Sequence, residues 1–184
     1  MSEKIKRCRK CNYVDKPPVK YRIYEEFLPE EVELLVISES PPPGEKPDYL
    51  YNLQNRDRLR TLLSKVLGVS QEEVPKFLKE RGIFWTVAVK CRPQSKKELR
   101  EMGKNCVEVL REEINELRPN RILALGKLAE KAILEIRPKV EVNFDRHPLY
   151  MARFELEGLK RLKKYLKGEG RISSSDSQRP CRLQ

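Results

Sequence analysis

Two side chains that can act in catalysis stand directly after, or close behind, short apolar runs of the sequence. Glu39 follows the run LLVIS and precedes a proline loop, SPPPG, and His147 stands in the segment DRHPLYMAR behind the run VEVNF. Carboxylates and imidazoles are the side chains most used as acids, bases and electrostatic partners. A lone histidine is more often a structural or surface residue, but a place before a proline and near an arginine favours a role in a site. We therefore treat both as candidate site residues.

Four of the five cysteines are candidates for a metal site. Cys8 and Cys11 form a CxxC motif, Cys91 and Cys106 bracket a basic segment, and Cys181 stands alone near the carboxyl terminus. In a cytosolic protein such cysteines are ligands or nucleophiles more often than disulfides. Thiolates can hold zinc or an iron–sulfur cluster, and the spacing does not choose between them. Unpaired structural thiols are the remaining alternative.

The charge of the chain predicts an anionic partner. The 184 residues carry a net charge of +11, with a pI near 9.5, and the positive residues lie along most of the chain. Such a surface attracts phosphates and gains from counterion release, so nucleic acid is the first expectation. Solubility or an anionic membrane surface are the alternatives. No run is long enough to span a bilayer and the basic N-terminus lacks the apolar core of a signal peptide, so we expect a cytoplasmic protein.

Short apolar runs alternate with helical patterns along the chain. The predicted strands cover residues 33–38, 83–89, 121–126 and 140–144. The predicted helices cover about 55–67, 71–80, 96–117, 127–136 and 154–167. This alternation predicts an α/β fold with a mainly parallel four-stranded sheet and helices on both faces, a three-layer αβα sandwich. Sites in such sheets lie beyond the carboxyl ends of the strands, here after Ser38, Val89, Leu125 and Phe144.

Four motifs in this order resemble those of the uracil-DNA glycosylase superfamily, in particular its iron–sulfur branch, family 4. They are the segment ISESPP, the cysteines with the context KCRP, the strand–glycine–helix segment LALGKLAEKAIL, and His147-Pro148 with Arg153 downstream. The resemblance covers about residues 5–167. It implies a glycosylase-like domain over residues 1–167, including the CxxC segment. Residues 168–184 lie outside it and are expected to be a disordered tail or residues added by cloning.

The resemblance also implies a metal centre and a catalytic pair. It makes Cys8, Cys11, Cys91 and Cys106 ligands of a [4Fe–4S] cluster, with zinc as the lesser possibility. It gives Glu39 the task of facing the scissile sugar, and gives His147 the task of stabilising charge on the departing base. The catalytic pair is therefore Glu39 and His147.

Base and DNA contacts follow from the same resemblance. Tyr51, or alternatively Tyr49, would stack on a base that has left the helix, although both tyrosines also suit core packing. Ser38 and Val87 would face the base. Pro41 and Pro42 would press on the DNA backbone, and Arg153 would meet a phosphate. Gly126 is interpreted as a tight connection between a strand and a helix.

Three departures from the family pattern affect base recognition. Ser38 and Pro42 replace two glycines of the first motif, and Val87 replaces an asparagine that reads the uracil edge. Asn52 or Asn143 could take over the reading, discrimination could be looser, or the base could differ from uracil. The sequence therefore predicts a DNA-repair glycosylase for deaminated bases, uracil first, acting on single- or double-stranded DNA as a monomer. The alternative is a nucleic-acid-binding member of the fold with altered or lost catalysis.

Overall fold

The computed structural model describes residues 1–11 and 15–169, which fold around four parallel strands. The strands are β1 (Leu34–Ser38), β2 (Ile83–Val87), β3 (Arg121–Leu125) and β4 (Glu141–Asp145). Their order in the sheet is β2-β1-β3-β4, and all three pairings are parallel. The prediction of a mainly parallel four-stranded sheet is confirmed, with each strand within two residues of its predicted bounds.

The two central strands are apolar apart from Ser38 at the end of β1 and Arg121 at the start of β3, because both of their faces are covered. Every residue of β1 is buried, and so are the last four residues of β3. β2 lies at one edge and is still fully buried, whereas β4 at the other edge is exposed or half-buried throughout. Buried parallel strands read as continuous apolar runs rather than alternating ones, which is why the sequence pattern located them.

The described residues contain nine helices. They are α1 (Ser2–Arg7), α2 (Pro17–Lys20), α3 (Ile23–Glu26), α4 (Arg58–Leu67), α5 (Val74–Glu80), α6 (Leu99–Leu117), α7 (Lys127–Ile136), α8 (Pro148–Phe154) and α9 (Leu156–Lys167). Right-handed crossovers place α4 and α5 on one face of the sheet and α6 and α7 on the other. Helix α9 packs against α4, and α6 packs against α7, which completes the three layers.

Local signals set several of the helix ends. Asp57 caps α4 by accepting the Arg60 N–H at 2.7 Å, so the helix begins three residues later than predicted. Ser70 and Glu73 exchange backbone-to-side-chain hydrogen bonds of 2.9 and 3.3 Å just before α5. This is the reciprocal pattern of a capping box. The sequence pattern does not predict the three short N-terminal helices or α8, because their one or two turns leave no long periodic pattern.

None of the helices among the described residues is long and apolar enough to cross a membrane. The proposed tail and Cys181 lie almost entirely outside the described residues, since only Gly168 and Glu169 of residues 168–184 fall within them. The domain bounds 1–167 therefore stay a prediction.

Candidate functional site

A cleft of about 860 Å³ opens at the carboxyl ends of β1, β2, β3 and β4. We call it the cleft, and among the residues that line it are eight predicted in the sequence for catalysis, base binding or DNA binding: Ser38, Glu39, Pro41, Pro42, Tyr49, Tyr51, Val87 and His147. Arg153 does not line it. The geometry follows from the parallel sheet, because the carboxyl ends of all its strands meet at one edge.

Glu39 is held at the end of β1 by the start of α7. Its Oε1 accepts the backbone N–H of Leu128 at 3.2 Å, and the positive end of the helix dipole favours a carboxylate at this place. Gly126, with φ +95°, approaches the same side chain: a Cβ built on it would lie 3.0 Å from Glu39 Cγ, Cδ and Oε1. Gly126 is therefore more than a tight connection, because the absence of its side chain leaves room for the carboxylate.

His147 approaches the cleft from the end of the edge strand β4, which is two places from β1 in the sheet. It is the N-cap of α8, and its Nδ1 accepts the backbone N–H of Leu149 at 3.3 Å. Burial lowers the pKa of His147, and the nearby charge of Glu39 opposes this only in part. With Nδ1 occupied as an acceptor, the neutral ring carries its proton on Nε2, which is then available as a donor.

The two tyrosines line the cleft and are at the same time part of the core. The Tyr51 hydroxyl donates to the Trp85 carbonyl at 2.9 Å and accepts the Trp85 N–H at 3.1 Å. It thereby satisfies backbone groups on the edge strand β2. Tyr49 stacks on Tyr21 with ring centroids 5.5 Å apart. Both tyrosines are therefore buried core residues that also line the cleft, and stacking on a base stays a prediction.

The four predicted ligand cysteines line one small cavity. Cys8 and Cys11 come from the end of α1 and the turn behind it, Cys91 follows β2, and Cys106 lies on α6. All four are free thiols. The apolar side chains of Ile5 and Val109 also line this cavity. We call this space the cysteine cavity.

The surroundings of the cysteine cavity suit thiolates bound to metal. Asn105 Nδ2 donates to the Cys11 sulfur at 3.7 Å. Burial raises the pKa of Cys91 to about 12 and also raises the pKa of Cys106. Within the described part of the chain, however, no three cysteine, histidine, aspartate or glutamate side chains are arranged to hold a single metal ion. Four cysteine thiols are a donor set that zinc and iron–sulfur clusters use, and a metal centre at this place stays a prediction.

The model of the uracil DNA glycosylase superfamily matches residues 25–171, most of the chain. The chain belongs to this superfamily. It is 31% identical over 141 residues to a type-4 uracil-DNA glycosylase of Pyrobaculum aerophilum, an alignment that covers 74% of this chain and 64% of the relative. It is 37% identical over 75 residues to a type-5 uracil-DNA glycosylase of the same organism, covering 41% of this chain and 32% of that relative. The chain thus spans less than two-thirds of the length of either relative.

The two positions predicted to face the base, Ser38 and Val87, are apolar or already hydrogen-bonded within the protein. Val87 is buried beside Ser38 in the β1–β2 register, and Ser38 Oγ accepts the Trp85 Nε1–H at 3.1 Å. Neither substitute asparagine lines the cleft. Asn52 donates to the Pro47 carbonyl at 2.8 Å, and Asn143 donates to Glu141 at 2.9 Å. The structure therefore gives no support to the alternative in which one of these two asparagines reads the base.

Five cations around the cleft were not singled out in the sequence. All five are exposed, and they come from separate elements: Lys46, Arg58, Lys96, Lys127 and Arg146. Arg153, the predicted phosphate contact, is exposed on α8 outside this ring. Surface lysines and arginines are so common in this chain that only their position around the cleft distinguishes the five.

Proposed function

We propose that this protein is a DNA glycosylase that hydrolyses the N-glycosidic bond of a flipped-out deaminated base, with uracil as the first candidate. The observation that carries the proposal is the convergence of Glu39 and His147 in one cleft from the ends of β1 and β4. A carboxylate and a neutral imidazole donor facing each other suit a reaction that separates charge between a sugar and its base.

Glu39 is suited to the sugar side of the reaction. The Leu128 N–H engages one carboxylate oxygen, and the other can accept a hydrogen bond from an attacking water. The negative charge stabilises the positive character that develops on the sugar as the bond breaks. Because Gly126 and the start of α7 hold the side chain, little reorganisation is needed when that charge appears.

His147 is suited to the departing base. Its Nε2–H can donate to the carbonyl oxygen on which negative charge develops, and burial keeps the ring neutral at physiological pH. A neutral donor does not transfer its proton early and does not form an ion pair with Glu39. Stabilisation of this kind by one preorganised donor is worth about 10²–10³ in rate.

The walls and rim of the cleft suit a nucleic-acid substrate. Tyr49 and Tyr51 offer aromatic surface for a base outside its stack, and the five exposed cations can meet the phosphates on both sides of it. Pro41 is buried and Pro42 half-buried, so the loop that carries them has a defined shape against which a DNA backbone can lie. Arg153 would add a phosphate contact further out.

For the cysteine cavity we propose a structural [4Fe–4S] cluster held by Cys8, Cys11, Cys91 and Cys106. A zinc ion needs all its sulfurs at about 2.3 Å from one point, whereas each iron of a cluster takes a single thiolate. The four thiols that line one cavity supply the number of ligands that either centre needs, and zinc stays the lesser possibility. When bound, it would supply a cross-link between three segments of chain, and base release would not run through it.

Val87 is the observation that favours a second candidate function, binding of nucleic acid without cleavage. An apolar side chain at this place makes no hydrogen bond to a base edge. A member of the superfamily that has lost or altered catalysis would keep the cations and the cleft. The two candidates differ in product formation, not in DNA affinity.

The deciding experiment is incubation of the protein with end-labelled duplexes that carry uracil, hypoxanthine or xanthine, followed by alkali to cleave abasic sites. We expect cleavage at one or more of these bases, uracil first, and none in undamaged duplex. The Glu39→Gln variant is the control for contaminating glycosylase. Binding to all the duplexes without any strand cleavage would reject the glycosylase and favour the binding function.

A further inference from the structure

Arg92 directly follows a residue of the cysteine cavity and reaches towards the cleft, and its guanidinium donates to three acceptors in two segments. It directly follows Cys91 and is only 1% exposed. Its Nε donates to Asp15 Oδ2 at 2.7 Å, one terminal nitrogen donates to the Pro42 carbonyl at 2.7 Å, and the other donates to the Asp48 carbonyl at 3.2 Å. A planar fork with donors in several directions is required for such a set of partners.

The Asp15 side of this network leads to the amino-terminal cysteines. Asp15 also accepts the backbone N–H of Arg92 at 2.8 Å through its carbonyl oxygen. The next residue, Lys16, is buried and donates from Nζ to the carbonyl of Cys8 at 2.7 Å and to that of Lys6 at 2.9 Å. A short path of hydrogen bonds therefore joins the segment of the first two cysteines to Arg92.

The other side of the network is the proline loop, by which we mean residues 41–48. Besides the two bonds from Arg92, the loop is held by the Gly44 N–H, which donates to the Pro93 carbonyl at 2.9 Å. Proline residues at 41–43 have no N–H of their own to donate. These three residues can therefore join backbone hydrogen bonds only through their carbonyls, and Arg92 donates to that of Pro42.

A second buried arginine holds the segment that follows the proline loop but has no link to the cysteines. Arg60, 3% exposed, donates to the carbonyls of Leu50 at 3.0 Å and Asn52 at 2.7 Å, and also to that of Asn55. It projects from α4 and does not line the cysteine cavity. Arg60 is therefore a matched control for Arg92: same residue type, similar burial, and an adjacent stretch of chain.

We propose that Arg92 is a positioning residue through which the four-cysteine centre holds the proline loop in place over the cleft. The centre fixes the Asp15 and Cys91 segments, and Arg92 connects both to the carbonyls of Pro42 and Asp48. An ordered metal centre therefore keeps the proline loop, which would face DNA, in one conformation. The role assigned to the loop depends on the proposed glycosylase function, whereas the physical link does not.

The test uses the metal-loaded Arg92→Lys variant, in which an ammonium group replaces the fork and cannot reach all three partners. We expect the iron content and visible absorbance of the wild type, with amide exchange at Gly44 about 10- to 100-fold faster, as expected when charged hydrogen bonds are lost. The KM for damaged duplex should rise about tenfold while kcat changes less than about threefold, because Glu39 has its own support from Leu128. Arg60→Lys should speed exchange at Asn55 and leave Gly44 at the wild-type rate.

The link should also act in the opposite direction, because loss of the Arg92 bonds loosens the Asp15 segment next to the amino-terminal cysteines. Under a chelator challenge, loaded Arg92→Lys should therefore lose its visible absorbance at least about threefold faster than the wild type or Arg60→Lys. Wild-type exchange at Gly44 in Arg92→Lys, or equal loss in both lysine variants, would overturn the proposal.

Asp15→Asn serves if Arg92→Lys does not fold. This substitution removes only the negative charge of the Asp15 side chain that accepts from Arg92. Amide exchange at Gly44 should become about threefold faster or more while the metal centre is retained. Unchanged exchange at Gly44 would again overturn the proposed role of Arg92. If the wild type cleaves no base, the glycosylase function fails, while the exchange measurements still decide the role of Arg92.

Discussion

The cleft and the cysteine cavity satisfy their polar groups in opposite ways. In the cleft, Glu39 and His147 each accept a backbone N–H from the start of a helix, so the folded chain alone holds both side chains in place. In the cysteine cavity, burial raises the pKa values of Cys91 and Cys106, which keeps the thiols neutral. Their thiolates become favourable only with a metal.

This difference predicts that the residues needed for base release are not the residues needed for stability. Substitutions of Glu39 and His147 should reduce base release and leave the fold nearly unchanged, whereas substitutions in the cysteine cavity should reduce stability first.

The largest effect is expected from loss of a ligand cysteine. Cys106→Ser should abolish the broad visible absorbance and lower Tm by roughly 10 °C, since metal binding contributes directly to folding and each kcal/mol is worth about 2–4 °C in a chain of this size. Absorbance spectra, iron analysis and thermal unfolding measure this. Cys181→Ser, outside the described residues, is the control and should match the wild type. A colourless wild type with one tightly held zinc would reject the cluster but keep the ligands.

Glu39→Gln should lower single-turnover base release by about 10²–10³ with little change in DNA affinity or Tm, because only an electrostatic partner of the transition state is lost. The control is Asp48→Asn, another carboxylate that lines the cleft. Asp145 is a poor substitute catalyst, since Arg161 pairs with it at 3.0 Å. Full activity in Glu39→Gln with a loss in Asp48→Asn would move the catalytic role to Asp48.

His147→Gln should lower base release by roughly 10- to 10²-fold, less than Glu39→Gln, because the amide keeps an N–H donor. The pH dependence of stability gives a second test. Burial lowers the folded-state pKa of His147, so below about pH 6.5 the unfolded chain binds the proton first. The free energy of unfolding should therefore fall as the pH drops from about 6.5 towards the lowered pKa in the wild type. A fall of equal size in His147→Gln would show that other groups cause it.

Gly126→Ala should affect both stability and rate, by about tenfold in base release and roughly 1–3 kcal/mol in unfolding free energy. The positive φ strains alanine, and its Cβ would displace the Glu39 carboxylate. Gly68→Ala is the matched control, because Gly68 has φ +78° and nothing within 4 Å of a built Cβ. Gly68→Ala should lower the free energy of unfolding and leave the rate of base release unchanged. Equal rates for the two variants would mean that Gly126 does not position Glu39.

The smallest effects are expected at the rim. Lys127→Ala should weaken binding a few-fold, equally on damaged and undamaged duplex, and reduce the slope of log K against log salt by about one. Arg153→Ala should act in the same direction and more weakly, since it lies outside the cleft. Lys139→Ala, just before β4 at the opposite end of the sheet, should change nothing. A salt slope unaffected by Lys127→Ala would remove that lysine from the DNA-binding surface.

The sequence by itself determined the strands, the parallel α/β architecture and the residues at the carboxyl ends of the strands. Continuous apolar runs such as LLVIS and IFWTV are local signals of buried strands, and residues behind such runs must share one edge of the sheet. For this reason Glu39 and His147 could be paired as candidates although they stand far apart in the chain. The four cysteines could likewise be singled out by type and spacing.

Only the tertiary structure decided which groups support those residues. The bond from Leu128 to Glu39 and those from Arg92 to Pro42 and Asp48 join residues far apart in the sequence, and no periodicity encodes them. These contacts depend on strand register and on the crossovers between strands. Register and crossovers bring Gly126 and the Leu128 N–H against Glu39, and Arg92 against the proline loop, although nothing in the local sequence marks these residues. The same reason explains why Asn52 was a plausible base reader in the sequence: its amide proved to be used by Pro47, a contact that exists only once the loop has folded.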